Sequence, residues 1–353
     1  MKTFEEHIRD LCSLDGVSGR EDAVRGYLAG ELQASPASLK LETDPLGNLL
    51  VRVQGKRRAD RRLLFAAHMD EVGLIVTGAT EEGYLRVTAV GGIDPRVLFG
   101  KRVWVGGHPG VIGGKAVHHC TAEEKTTAPS LDEIRVDLLA SGREQALEWA
   151  PPGSPVTWDS TYTPLQNGVF KARALDDRAG CALLLELVRE VPERDFLLAF
   201  TVQEEIGLRG AKTAAFSLEP EIAVVVDATT AADTVSVPAD KQVCRAGGGP
   251  VVSFMDGRTL YDRSLYETIR SLADRENIPN QTKTLVAGGN DAGAIQPART
   301  GVRVAAVSLP CRYLHSPSCV LRESDCRATA RLLRLLSESL PCEGKDLAEE
   351  KSL

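Results

Sequence analysis

Residues 63–76 read LLFAAHMDEVGLIV, and the change of character inside this stretch decides the fold. Leu63 to Ala67 make a short continuous apolar run, as a strand buried on both faces does, and His68, Asp70 and Glu71 stand directly behind it, where such a strand leaves the core. At Gly73 a second run begins, GLIVTG, which glycine interrupts within a few residues. The two runs belong to different textures of the chain.

The first texture occupies the chain up to about Ala67 and returns from about Lys171. Apolar strands (LLVRV, LLFAA, FLLAFTV, IAVVVD, GVRVAAVSL) alternate there with helix-patterned stretches such as CALLLELVRE and the segment near Tyr261 to Glu276. That alternation predicts an α/β fold, a mostly parallel sheet flanked by helices. Between about Glu71 and Pro164 the runs are short and β-rich (GLIVTG, YLRVTAV, KRVWVGG, GVIGGKAV), broken by Gly and Pro, with one helix-like stretch near Gly142 to Trp149. This predicts a small β-barrel, residues 71–164, inserted into an α/β domain made of residues 1–70 and 165–353. A chain of 353 residues, 43% hydrophobic, is long enough for two such cores.

The charge balance is mildly acidic, 49 acids against 42 bases, and no Lys/Arg block is long enough to form a stripe for nucleic acid or a membrane surface. The amino-terminal MKTFEEHIRDLCSL is charged and helix-patterned, and no run reaches the ~18 apolar residues of a membrane span, so a cytoplasmic protein is expected. The eight cysteines lack a CxxC pair and read as buried, reduced thiols. The last ten residues form a short charged tail.

Ligands of open α/β sheets collect beyond the carboxyl ends of the strands. There the sequence places His68 and Asp70 after LLFAA, Asp176 and Asp177 at the start of a helix beginning near Ala179, Glu204 and Glu205 after FLLAFTV, Asp227 at the end of IAVVV, and His315 after GVRVAAVSL. Taken singly, an Asp is a helix cap, a Glu pair is a favourable charge at a helix amino terminus, and a lone His is a surface or core residue, which is the reading of His7, His108 and His118. Together they exceed what one catalytic zinc takes, three protein ligands and a water, and fit two metals sharing a carboxylate. Without cations, so many neighbouring carboxylates would repel one another.

The segments TDPLGNLLV, HMDEVGLIV, GGIDPRVLFGKRVWV, ALDDRAG, QEEIGLRGA, VVDAT, NDAGAIQ and RYLHSPS, in this order and spacing, resemble the tetrahedral aminopeptidases, dinuclear metallo-aminopeptidases that include glutamyl and deblocking enzymes. The resemblance runs from about Glu5 to Leu336. It implies a metallopeptidase domain with an inserted PDZ-like barrel serving oligomerisation, and dimers built into hollow twelve-subunit shells that admit short peptides. Residue by residue it implies that Asp176 bridges two divalent ions (zinc, cobalt or manganese), that His68 and Asp227 complete one site and Glu205 and His315 the other, that Glu204 is the general base acting on a metal-bridged water, and that Asp70 orients His68. A ligating histidine does normally give its second ring N–H to a carboxylate.

The sequence departs from the family where Cys319 stands in place of a glutamate after HSP and where Asn290 stands in GGND; both bear on specificity. Other readings are a related dinuclear carboxypeptidase or amide deacylase, a metal-free glycosidase using Asp177 and Glu204, and an oligomeric binding protein without activity. Val103, Trp104, Val105 and Val111 either present an apolar face for self-association or form the barrel's own core. His119 lies in a polar loop and is unassigned.

Overall fold

A computed structural model describes residues 1–342; the charged tail lies outside the described residues. The large sheet has the order Ser38–Thr43, Leu49–Gln54, Phe196–Thr201, Leu63–His68, Ile222–Thr230, Arg303–Cys311, Val251–Val252 and Gln281–Thr282. Its four middle strands are parallel, with Thr201 beside His68 and Asp227 beside Ser308. Antiparallel pairings join Leu49–Gln54 and Val251–Val252 to this centre and Ser38–Thr43 to Leu49–Gln54, while Gln281–Thr282 runs parallel to Val251–Val252.

All six residues of Leu63–His68 are buried, and their alternation feeds two separate cores. Leu63, Phe65 and Ala67 pack with Ile8, Leu28, Leu183, Ile269 and Leu332 on one face. Leu64 and Ala66 pack with Ala211, Ala214 and Ile295 on the other. A period of two with both sets apolar is what a strand between two helical layers requires. The helix expected near Tyr261 to Glu276 spans Arg263–Arg275, because the Asp262 carboxylate accepts the Leu265 N–H and caps it there.

After Glu71 the chain enters a closed barrel ordered Gly73–Ala79, Leu85–Val90, Arg135–Asp137, His108–Gly113, Arg102–Val105 and Pro155–Trp158. Leu74, Val76, Leu85, Val103, Val105, Ile112 and Val136 fill it. The two readings of the valine and tryptophan group therefore divide by strand alternation: Val103 and Val105 point inward, while Trp104 and Val111 stand outside, 40% and 46% exposed.

Glu71 does not join the cluster of site acids. It is buried at the seam between sheet and barrel, 3.5 Å from Arg178 Nη2 and 3.8 Å from Arg173 Nη1. Arg178 is fully buried and donates to the carbonyls of Met69, Leu11 and Leu14, which ties the amino-terminal segment to the exit of the strand that carries His68. No helix among the described residues is long and apolar enough to cross a membrane.

Candidate active site

His68, Asp176, Glu204, Glu205, Asp227 and His315 line one cavity of about 200 Å³ at the carboxyl ends of the parallel strands. His68 ends its strand with Nε2 turned into this cavity, 3.1 Å from Asp176 Oδ1 and 3.7 Å from Asp227 Oδ1. His315 reaches the same carboxylate from the other side, with Nε2 3.5 Å from Asp176 Oδ2 and 3.2 Å from Glu205 Oε1. Asp176 thus stands between two imidazoles. It and Asp177 adopt non-helical backbone just before the regular helix that starts at Arg178, and the peptide between them is cis.

Each histidine is held by its other ring nitrogen. Nδ1 of His68 lies 3.1 Å from the Asp70 carbonyl and 3.4 Å from its carboxylate. Nδ1 of His315 lies 2.7 Å from the carbonyl of Gly92, in the loop that follows the barrel strand Leu85–Val90. Both tautomers are thereby set to leave Nε2 free to ligate. Asp70 also accepts the Ser18 hydroxyl and the backbone N–H groups of Glu204 and Glu205, so one buried carboxylate positions a histidine and the glutamate pair together.

Crowding acids in a buried site has the expected electrostatic result. Burial pushes Glu204, Asp227 and Asp177 well above the ordinary carboxylate range, and Glu205 upward as well. Asp176 goes the other way: burial opposes its charge, but hydrogen bonds from His315 and His68 outweigh that and lower it. Burial would also lower His315, yet its bonds to Asp176 and Glu205 raise it to about 11. Divalent ions between the same groups would offset the same charge.

Two groups of ligand atoms lie within 4.8 Å of one another, His68 with Asp176 and Glu205, and His68 with Asp177 and Asp227. The second includes Asp177, which carries a buried Oδ2 without a hydrogen-bond partner. The residues the sequence reading did not single out are Lys283 and Asp291. Asp291 is buried beside Thr201, whose hydroxyl lies 2.5 Å from its Oδ2, and its Oδ1 has no partner. The signal for it is the segment NDAGAIQ itself, whose Asn290 lines the cavity.

The remaining histidines stay outside the site. His7 is buried against the Tyr27 hydroxyl, His108 stacks on Trp149 in the barrel, and His118 and His119 sit together on a short turn of the barrel loop. All eight cysteines are free, six of them buried.

A profile of the M42 glutamyl aminopeptidase family matches residues 47–332. A lysyl aminopeptidase of Pyrococcus furiosus is 32% identical, with 95% of this chain and 97% of that protein covered. Among solved structures, the aminopeptidase APDkam598 of the archaeon Desulfurococcus kamchatkensis superposes with a TM-score of 0.89 at 32% identity, covering 95% and 94% of the two chains. The TET1 peptidase of Pyrococcus horikoshii, described as assembling into a tetrahedron or a large octahedral shell, gives 0.82 at 32% identity over 95% and 99%.

Proposed function

The chain belongs to the M42 glutamyl aminopeptidase family, and from that premise we propose that it removes amino-terminal residues from short peptides with the help of two divalent ions. The single observation that carries the metal reading is Asp176 with one oxygen toward each histidine Nε2, each imidazole held from behind at Nδ1. Two imidazoles and several carboxylates suit zinc, cobalt or manganese, and a pair of cations would offset the charge of so many buried acids. His68, Asp227 and Asp176 would hold one ion, and Asp176, Glu205 and His315 the other; Asp177 stands close enough to His68 and Asp227 to support the first. Bound there, the ions would polarise the scissile carbonyl and make a water acidic near neutral pH.

The chain's own residues supply the rest. Glu204 lines the same cavity without ligating, and as general base it takes the proton of the attacking water and returns it to the leaving amine. Asp70 fixes Glu204 through its backbone N–H and His68 through Nδ1, so base and ligand keep their separation through the reaction. Residues 71–164 serve self-association through the outer face of the barrel, in dimers and larger closed shells, and the unpaired cysteines accord with a cytoplasmic setting.

The test is release of free amino acid from unblocked and amino-acetylated peptides by chelator-treated protein, with and without added Zn²⁺, Co²⁺ or Mn²⁺. Metal-restored release from the unblocked amino end is expected. Release from the carboxyl end, or turnover indifferent to chelation, would point to a carboxypeptidase or a metal-free hydrolase instead. Glu204→Gln should retain the bound metal of the parent by elemental analysis while losing at least about a hundredfold in kcat; near-normal turnover would remove Glu204 from the base role.

A further inference from the structure

Residues 55–62 read GKRRADRR, a basic block too short for a stripe along nucleic acid, and the fold enlarges it. Lys40 on the edge strand Ser38–Thr43 pairs directly with Arg52 on Leu49–Gln54, and Arg58, Arg61 and Arg62 join them around one groove of about 480 Å³. Like charges directly opposite each other on an antiparallel pair are destabilising. Yet Lys40 and Arg52 are both exposed, and among the described residues neither side chain has an ion pair or hydrogen bond to relieve the contact. Glu42, on the same face of the edge strand, is opposite Leu50 and makes no ion pair there either. The Arg61 guanidinium is likewise without a partner among the described residues, while Arg62 directs its Nε to the Glu219 carbonyl. Three acids line the groove, but Asp195 is held by Arg58 and the Gly55 N–H, and Glu221 by the backbone N–H of Arg62. Only Asp60 is left to face three unpaired cations.

We propose that this groove is a binding site for a compact polyphosphate, an anion that carries several phosphoryl groups in a row. Residues directly opposite each other on an antiparallel pair have Cβ atoms ~5 Å apart, so one phosphoryl group can reach the heads of Lys40 and Arg52 together and turn their repulsion into a shared contact. Guanidinium forks match phosphate oxygens two at a time, and Arg61 and Arg52 both have theirs free for this. A single carboxylate would leave part of the excess charge unmet. The volume falls within the ~300–1,000 Å³ of small-molecule sites, and of the apolar lining Val53, Phe196 and Leu197 are buried, so recognition rests on charge. The groove also stands apart from the cavity of acids. Arg61 and Arg62 precede the strand Leu63–His68, and Asp195 precedes Phe196–Thr201, which puts the groove at the amino ends of the parallel strands. His68 is six residues beyond Arg62, roughly 20 Å along the strand. A ligand here leaves the peptide's place unoccupied, and the proposal stands whether or not the chain is an aminopeptidase.

The competing account is a solvated surface whose cations water and salt satisfy. The experiment is isothermal titration of the full chain with inorganic triphosphate at low salt, on wild type, on Arg52→Gln with Arg61→Gln, and on a control, Arg86→Gln with Lys125→Gln, that removes the same charge from exposed barrel positions. Wild type and control should take up the anion saturably with similar affinity, and the groove variant should bind at least about tenfold more weakly. Any capture of active-site metal by triphosphate is common to all three and cancels in the comparison. Sulfate, a single dianion, should bind wild type at least about tenfold more weakly than triphosphate. Adenosine triphosphate separates two sources of the same chemistry: affinity equal to that of triphosphate assigns the site to the phosphate chain alone, and tighter binding adds the nucleoside to it. A thermal melt gives a second reading. Lys40→Gln should melt no lower than wild type without anion, since it removes a like-charge contact, and triphosphate should raise the melting temperature of wild type more than that of the variant. No uptake by wild type, equal weakening in groove variant and control, or parity of sulfate with triphosphate would each overturn the proposal. So would uptake that appears only after removal of residues 343–353, whose four acids follow close on Pro341, the acceptor of the Asp60 and Arg61 N–H groups, because the groove would then belong to the chain's own tail.

Discussion

Asp70 and Asp291 are both buried acids near the same strand ends, and they illustrate two fates of such a group. Asp70 is surrounded by donors, Ser18, Glu204 N–H and Glu205 N–H, beside His68; burial opposes its charge, but the neighbouring His68 first, and then the Ser18 and Glu204 bonds, hold it below the ordinary range. Asp291 has one hydroxyl neighbour and an orphan oxygen, and burial raises it to about 6. A folded-state value above the unfolded 3.8 means that the folded protein binds the proton more tightly, so this contribution to stability is complete below about 4 and is lost as pH rises through about 6. Asp291→Asn carries no such proton. In chelator-treated protein, denaturant unfolding from pH 4 to 7 should therefore show the variant gaining on wild type by up to ~3 kcal/mol, the free-energy equivalent of a carboxyl raised from 3.8 to about 6; parallel profiles would show that Asp291 is ionised throughout. The sequence made Asp70 legible because it follows a strand and sits two residues from a histidine. Asp291 and Lys283 acquire their surroundings from Thr201 and Ala287 only after folding, and no local pattern announces that.

At the scale of elements, the barrel is more than an appendage, because its Gly92 carbonyl holds His315 across the seam. Its neighbour Gly91 has φ +81°, and a Cβ there would lie 2.8 Å from Val72 Cγ1 and 3.2 Å from Glu205 Cβ. Gly91→Ala should thus cost ~1–2 kcal/mol for the left-handed backbone, press on Glu205, and weaken metal retention along with activity. Denaturant unfolding and elemental analysis check both; an unchanged variant would mean that the loop accommodates a side chain and does not support the ligand. The long buried strands were legible from composition, as was the helix Arg143–Trp149 near the expected Gly142 to Trp149. The two-residue strands Val251–Val252 and Gln281–Thr282 were not, since a run that short has no period to read. Yet these edge strands are what carry Lys283 to the cavity.

For the whole molecule, the outer face of the barrel offers a test of assembly. Trp104 and Val111 stand on the neighbouring antiparallel strands Arg102–Val105 and His108–Gly113, where Trp104 pairs with Pro109 and Arg102 with Val111, so both apolar side chains leave the barrel on one side. Their inward neighbours Val103 and Val105 already fill the core, so nothing in the barrel itself requires Trp104 to be apolar. Aromatic residues are enriched and charged ones depleted at the centres of interfaces. Replacing Trp104 and Val111 together by Glu places two like charges on a face that would otherwise meet a second subunit, while leaving the barrel's packing as it is. Light scattering under native conditions should then show the variant as a smaller species than wild type, with its barrel intact by circular dichroism. His68, Asp176, Glu204, Glu205, Asp227 and His315 line the cavity within the chain itself, and release of an amino acid from a dipeptide is expected to survive this dissociation. If the double variant keeps the wild-type mass, assembly runs through another face; if the wild type is itself a monomer, the barrel must be explained by its hold on His315 alone.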